Sequence, residues 1–179
     1  MTALVSLIAR LATPRGIVCL IVAYAVVFGA ILLTLAQLDS VTGGAGILDF
    51  DVGYSRDRVM EVFGSYGEGG MALYRRIQVL DLFNPALYSL LAAVFTYLLW
   101  RDRGPDWLCL LPLLGGIGDY AENFTLFLLS RSFPALPDGL VSVSSALSLA
   151  KNTALVLGLL PLVVGLVLWG MQALRRANR

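Results

Sequence analysis

Apolar residues in this chain run in long stretches rather than alternating. Four stretches are long enough to cross about 30 Å of hydrocarbon as helices. They cover approximately Gly16–Leu38, Pro85–Trp100, Trp107–Leu129 and Asn152–Leu174. The second is short, but Asn84-Pro85 supplies a natural helix start. Trp100, Trp107 and Trp169 fall near stretch ends, where interfacial aromatics belong. The intervening segment 39–84 has a different pattern. Ser55 can cap a helix to about Ser65, with Val59, Val62 and Phe63 on one side. The glycine-rich run Gly64–Gly70 should break it. A second helix, Met71–Phe83, should lead into Asn84-Pro85. The pattern predicts an all-α, polytopic membrane protein: a single domain over 1–179, built as a four-transmembrane-helix bundle with a short helical extracytoplasmic cap.

The first stretch has an apolar core of about twenty residues, too long for a signal peptide, and no small-residue cleavage site follows. It reads as a retained helix. Ahead of it, Leu4, Leu7, Ile8 and Leu11 share one helical face, so residues 2–12 are expected along the membrane surface. Thr13-Pro14 should end that helix.

Composition sharpens this picture. The 179 residues are 58% hydrophobic and 14% charged, with a mean hydropathy of +0.81. Soluble domains carry about 25% charged residues. A net charge of +1 says nothing about nucleic acid, but no basic patch with interleaved aromatics is present, and nucleic acid is not an expected partner. Histidine is absent, which removes the commonest metal ligand and a Ser–His–Asp triad. No metal or cofactor is expected. Cys19 and Cys109 are too few for a disulfide framework and read as buried packing residues.

Short basic flanks set the orientation. Arg10 and Arg15 precede the first span, Arg101 and Arg103 join the second and third, and Arg175, Arg176 and Arg179 follow the fourth. Counted as positive-inside, they place both termini in the cytoplasm of a multi-pass protein of the cell membrane.

The third stretch carries the candidate chemistry. Pro112, Gly115, Gly116, Asp119, Glu122 and Asn123 share one face at helical spacing, opposite Leu110, Leu114, Ile117, Ala121, Phe124 and Leu128. Charged groups in lipid cost about 2.5–3.5 kcal/mol each on insertion scales, so this face must look into the bundle. Span two offers a small, polar face of its own: Pro85, Ser89, Ala92 and Thr96. A helical rise of about 1.5 Å puts Glu122 about 12 Å below the outer end of its span and Lys151 about 10 Å inside a fourth helix starting near Ser144. The two are then within reach, with Ser148, Asn152 and Thr153 close by. Arg75, Arg76, Gln78 and Asp81 are placed to cap this cluster from outside.

Two carboxylates one turn apart in a poorly solvated site resist joint ionisation. That suits general acid–base work by Asp119 and Glu122, or binding of a cation or amine. Asn123 would position them, and Lys151, Asn152, Arg75, Arg76 and Asp81 complete the expected ligand-binding set. A lipid-like or amphipathic molecule is the expected ligand, alongside the membrane lipids. Two other readings stand beside it. The acids could form helix-joining ion pairs in a structural or assembly subunit, or belong to a small ion or proton transporter, which with four helices would need a homo-oligomer. Ser148 and Lys151 also have the spacing of a serine–lysine dyad. A hydroxyl-rich helix start explains Ser142, Ser144, Ser145 and Ser148 more simply.

Gly53-Tyr54-Ser55, the run Leu80-Asp81-Leu82-Phe83-Asn84-Pro85-Ala86-Leu87-Tyr88-Ser89-Leu90, and Leu111-Pro112 with Gly118-Asp119-Tyr120-Ala121-Glu122-Asn123 carry a resemblance. Over residues 50–155 the chain resembles a group of small, uncharacterised bacterial four-span membrane proteins, most specifically in the Asp-x-x-Glu-Asn element. The resemblance implies the same fold, in a bacterial inner membrane, and brings no activity with it. The layout is also similar to that of emopamil-binding and sigma-2-type proteins, whose buried acids face a sterol or amine pocket. That likeness is one of architecture, without shared motifs.

Overall fold

The computed structural model describes residues 3–177 and is 86% helix, with no strand among the described residues. Six α-helices follow in order: α1 (Ala3–Leu11), α2 (Pro14–Thr42), α3 (Arg56–Leu80), α4 (Asn84–Trp100), α5 (Leu111–Ser132) and α6 (Asp138–Ala177). Three helical segments are long and apolar enough to cross a membrane: Pro14–Thr42, Asp138–Ala177, and Arg56–Trp100, where α3 and α4 follow each other. The 22-residue α5 carries Asp119, Glu122 and Arg131 and is not among them.

Local chemistry explains the boundaries. Thr13 caps α2, its hydroxyl accepting from Gly16 N–H at 3.1 Å, with Pro14 in the first turn. Ser55 caps α3 by accepting from Arg58 N–H at 3.2 Å. The break expected over Gly64–Gly70 narrows to Gly67, whose φ of 55° and ψ of −164° interrupt an otherwise continuous α3. Two further expectations are corrected. Trp107 lies in a 3-10 turn, Asp106–Leu110, and α5 starts only at Leu111. The last helix begins at Asp138, well before Asn152 or Ser144, because α6 extends past the bundle to hold the loop around Gly53.

α4 packs against α2, α5 and α6, and α5 lies along α6. Exposed side chains on α2 and α6, such as Val26, Leu33, Val156 and Val167, leave apolar outer faces. At one end of the bundle, α1 buries Val5 and Ile8 against Ala93, Val94 and Cys109. Of the face expected along the membrane surface, Leu4 and Leu7 stay exposed and Ile8 is buried. Thr2 lies outside the described residues. At the same end Arg103 donates to Gln172 Oε1 at 2.7 Å, joining the α4–α5 turn to the end of α6. Arg179 also lies outside the described residues. Cys109 is buried as expected, whereas Cys19 is exposed on the apolar surface of α2.

The opposite end is the cap. Phe63, Tyr66 and Tyr74 of α3 cluster with Phe133, at ring separations between 5.4 and 6.0 Å. Tyr66 Oη–H donates to Gly46 O at 2.8 Å, and Arg58 Nε–H donates to Asp51 at 2.9 Å. The loop 43–55 is thereby folded down onto the bundle.

Candidate functional site

The predicted faces of α5 are observed. Pro112, Gly115, Gly116, Asp119 and Glu122 are buried, while Leu114, Ile117 and Phe124 face outward. Close approach of the neighbouring backbones depends on glycine. A Cβ at Gly116 would lie 2.6 Å from Ser89 Oγ, and one at Gly118 would lie 3.1 Å from Lys151 Cα.

That approach brings Lys151 of α6 into the acids. Its ammonium bonds Glu122 Oε2, lies 3.5 Å from Asp119 Oδ1 and donates to the Asp49 carbonyl at 3.2 Å. Glu122 is 0% exposed, Lys151 5% and Asp119 8%, so none is a surface ion pair. The Ser148 hydroxyl lies beside Glu122, but its hydrogen is given to the Asp51 carbonyl at 2.7 Å. Glu122 Oε1 is left without a donor. Asp119 is held from the other side by Tyr88, whose Oη–H donates to Oδ2 at 3.0 Å.

Asp81 sits where α3 turns into α4. Its two oxygens accept from Asn84 Nδ2 at 2.9 Å and Asn123 Nδ2 at 2.5 Å. Asn123 therefore positions Asp81 rather than Asp119. Asp49 arrives from the 3-10 turn Leu48–Phe50 and accepts from Tyr74 Oη–H at 3.5 Å. Burial pushes its carboxyl up to about 7; the charge of Asp81 pushes the same way, Lys151 opposes, and Glu122 adds a smaller push upward.

These groups surround a small cavity of about 110 Å³, lined by Asp49, Asp81, Asn84, Asp119 and Lys151. Asn84 Oδ1 is buried there with no donor. The other walls are apolar: Phe28, Ile31 and Leu32 of α2, with Ile47, Phe50 and Ile77. Phe50 and Leu32 are exposed, so this side of the cavity meets the apolar exterior. Glu122 does not line it. On the other side of Asp81 lies a wider groove of about 630 Å³ between α3 and α5.

The remaining expected residues fall elsewhere. Asn152 turns its amide to the Ser148 carbonyl of its own helix, at 2.9 Å. Arg75 lines the wide groove and Arg76 is exposed; neither bonds the acids. The serines of α6 do not begin a helix and form no dyad with Lys151. Ser144 bonds Tyr54 Oη at 2.6 Å and Thr125 Oγ1 at 2.7 Å, and Ser145 accepts from Tyr54 N–H at 2.9 Å. They fasten the loop to α6.

Asp49, Asn84 and Tyr88 were not foreseen in these roles. Tyr88 and Asn84 had a signal, lying on the turn of α4 that precedes Ser89. Asp49 had only its apolar setting, between Leu48 and Phe50.

Of four carboxylates here, Asp49, Asp81, Asp119 and Glu122, only the last two thus pair with the ammonium. They are spread around Lys151, and no three metal-ligating side chains converge on a point among the described residues. The cavity sets the Asp49, Asp81 and Asp119 side chains and Asn84 Oδ1 beside the Lys151 ammonium. Comparison with known proteins returned no matching family model, no matching curated protein and no matching solved structure.

Proposed function

We propose that the chain is a four-span membrane protein that binds an amphipathic cation in an outward-facing intramembrane pocket. In this reading α5 is the remaining span. The basic end, with Arg10, Arg15, Arg101, Arg103, Arg175 and Arg176, faces the cytoplasm. One observation carries the proposal. Asp49, Asp81, Asp119 and the unpartnered Asn84 Oδ1 line one small cavity, where the single ammonium of Lys151 is already bonded to Glu122. A primary ammonium supplies the missing positive charge and the missing donors. The apolar wall of Phe28, Leu32 and Phe50 takes the start of an alkyl tail. Asp119 is the acid or base available to such a head group, and Glu122 serves as the partner that keeps Lys151 charged.

The structural reading has its own support in Glu122 and Lys151. They form a buried, closely bonded pair between α5 and α6, which ties the two helices whatever the pocket holds.

The test uses protein purified in neutral detergent, with dodecylammonium and dodecyl maltoside as chain-matched probes read by native mass spectrometry. Wild type should retain the ammonium and not the maltoside preferentially. Asp119→Asn should weaken that retention about tenfold, the scale of a lost charged hydrogen bond, with unfolding temperature near wild type. Equal retention of both probes, or an Asp119→Asn protein that binds as wild type, would sink the proposal.

A further inference from the structure

Asp49 and Asp81 each line two spaces: the cavity of about 110 Å³ on the α2 side, and the groove of about 630 Å³ between α3 and α5. They are also the two acids of the site that make no ion pair among the described residues. Their side-chain partners are neutral. Asp81 stands at the boundary. One of its oxygens accepts from Asn84, which lines the cavity, and the other from Asn123, which lines the groove. Among the described residues the one side-chain donor to Asp49 is Tyr74 Oη–H, at 3.5 Å.

Both spaces lead away from these acids along exposed apolar side chains. The cavity does so at Phe28, Leu32 and Phe50, and the groove at Val79, Leu82 and Phe124. Arg75 is the one cation lining the groove. Six positions separate it from Asp81, about 9 Å along a helix, so it stands toward the cap. The other end of the groove lies between Leu82, Tyr120 and Phe124. Tyr120 has already given its hydroxyl hydrogen to Leu82 O, at 2.8 Å, which leaves apolar contact as the main chemistry there.

We propose that cavity and groove are two openings of one site, and that its ligand is a cation with an apolar arm on each side of the charge. A secondary ammonium is the simplest example. The proposal rests on the cation-pocket reading above and narrows it to a class of ligand. The nitrogen sits at Asp49 and Asp81, where no protein cation answers the two charges. A secondary ammonium keeps its positive charge and two N–H donors, one for each carboxylate. One arm leaves along Phe28, Leu32 and Phe50, the other along Leu82 and Phe124, away from Arg75. A single straight chain follows only one of these walls and leaves the other without ligand contact, which forfeits apolar burial.

The test compares dihexylammonium with dodecylammonium, isomers of one formula, and uses dodecyl maltoside as the uncharged control. Each is titrated into full-length protein in neutral detergent and read by native mass spectrometry. Wild type should hold dihexylammonium about fivefold or more tightly than dodecylammonium, the scale of a few buried methylenes. Phe124→Ala and Leu82→Ala, both at exposed side chains, should bring the two isomers to within about twofold of each other, with unfolding temperatures near wild type. Equal or weaker retention of dihexylammonium by wild type would overturn the proposal. So would a preference that survives both alanine variants, because the groove would then play no part in it. If dodecylammonium is retained over the maltoside and dihexylammonium gains nothing, the two-armed ligand fails and the cation pocket stands. If neither ammonium is retained over the maltoside, the cation pocket itself fails.

Discussion

Gly118 of α5 lies against the backbone of Lys151 in α6, so close that a Cβ at position 118 would stand 3.1 Å from Lys151 Cα. The contact is backbone to backbone, and no flexible side chain can yield to relieve it. It sets how far Lys151 reaches into α5, and hence whether its ammonium meets Glu122 and Asp119. Gly118→Ala should cost about 1–3 kcal/mol through overpacking. Thermal unfolding in detergent should show a lowered midpoint, with Gly118→Val lower still. An unchanged midpoint in both variants would mean that the two helices are not held at this distance.

Glu122 and Asp119 touch the same ammonium but should respond differently to neutralisation. Glu122 is fully buried and bonded to Lys151 without lining the cavity, so Glu122→Gln leaves a buried cation short of its closest partner. Such losses run to about 3–5 kcal/mol. Replacing both residues together, as Glu122→Met/Lys151→Met, should recover only part of that stability, since Asp119 then loses the ammonium 3.5 Å away. Asp119 keeps Tyr88 as a donor and borders the cavity. Asp119→Asn should therefore alter binding far more than unfolding. A double-mutant cycle on Glu122 and Lys151, measured by chemical denaturation, separates the two roles.

The α5 site was legible where it depended on helical period. Asp119 and Glu122 lie one turn apart on the glycine-bearing face, and Lys151 came within reach once α5 and α6 were set side by side. Both inferences needed only a rise per residue and a rule about burying charge. The membrane character of α2, α4 and α6 was equally plain from their apolar length. Asp49 was not legible, because it reaches the site through an irregular loop with no period to follow. Its position depends on Tyr54, Tyr66 and Arg58 pinning 43–55 to the rest of the fold. Asn123 was misassigned for a related reason. Its partner, Asp81, belongs to a turn whose direction is set by tertiary packing. The early start of α6 was hidden because residues 138–151 mix serine, glycine and charge, and they become helical by packing against that same loop.

The Asp49 carboxyl gives the pocket a pH dependence. Burial and the nearby Asp81 and Glu122 charges raise it to about 7, with Lys151 pulling back. A raised carboxylate is ionised less readily in the folded protein than in the unfolded chain. Asp49 therefore costs stability as pH climbs from about 4 through about 7, and contributes no such cost below that range. Cation binding should run the other way, since the ionised form attracts the ligand. Dodecylammonium affinity should rise several-fold between about pH 6 and about pH 8, a range in which the probe itself stays charged. Asp49→Asn should flatten that profile. A flat profile in wild type would remove Asp49 from the pocket's working groups.

The two halves of α3 meet at Gly67, whose φ of 55° and ψ of −164° lie where side chains other than glycine are strained. Gly69, two residues on, has helical backbone and open space where a Cβ would go. The same substitution should therefore act in opposite senses at neighbouring positions. Gly67→Ala should destabilise by about 1–3 kcal/mol, because the added Cβ disfavours the conformation that joins the halves. Gly69→Ala should stabilise by about 0.5–1 kcal/mol by reducing the freedom of the unfolded chain. The consequence reaches the site. The half before Gly67 carries Phe63 and Tyr66, which pack over the loop holding Asp49, and the half after it carries Arg75 and Asp81. Straightening the junction would shift one half against the other, so Gly67→Ala should also weaken dodecylammonium binding while Gly69→Ala leaves it unchanged. Chemical unfolding and native mass spectrometry on the same pair of variants test both statements. Equal stability changes at the two positions would show that Gly67 is an ordinary helical glycine.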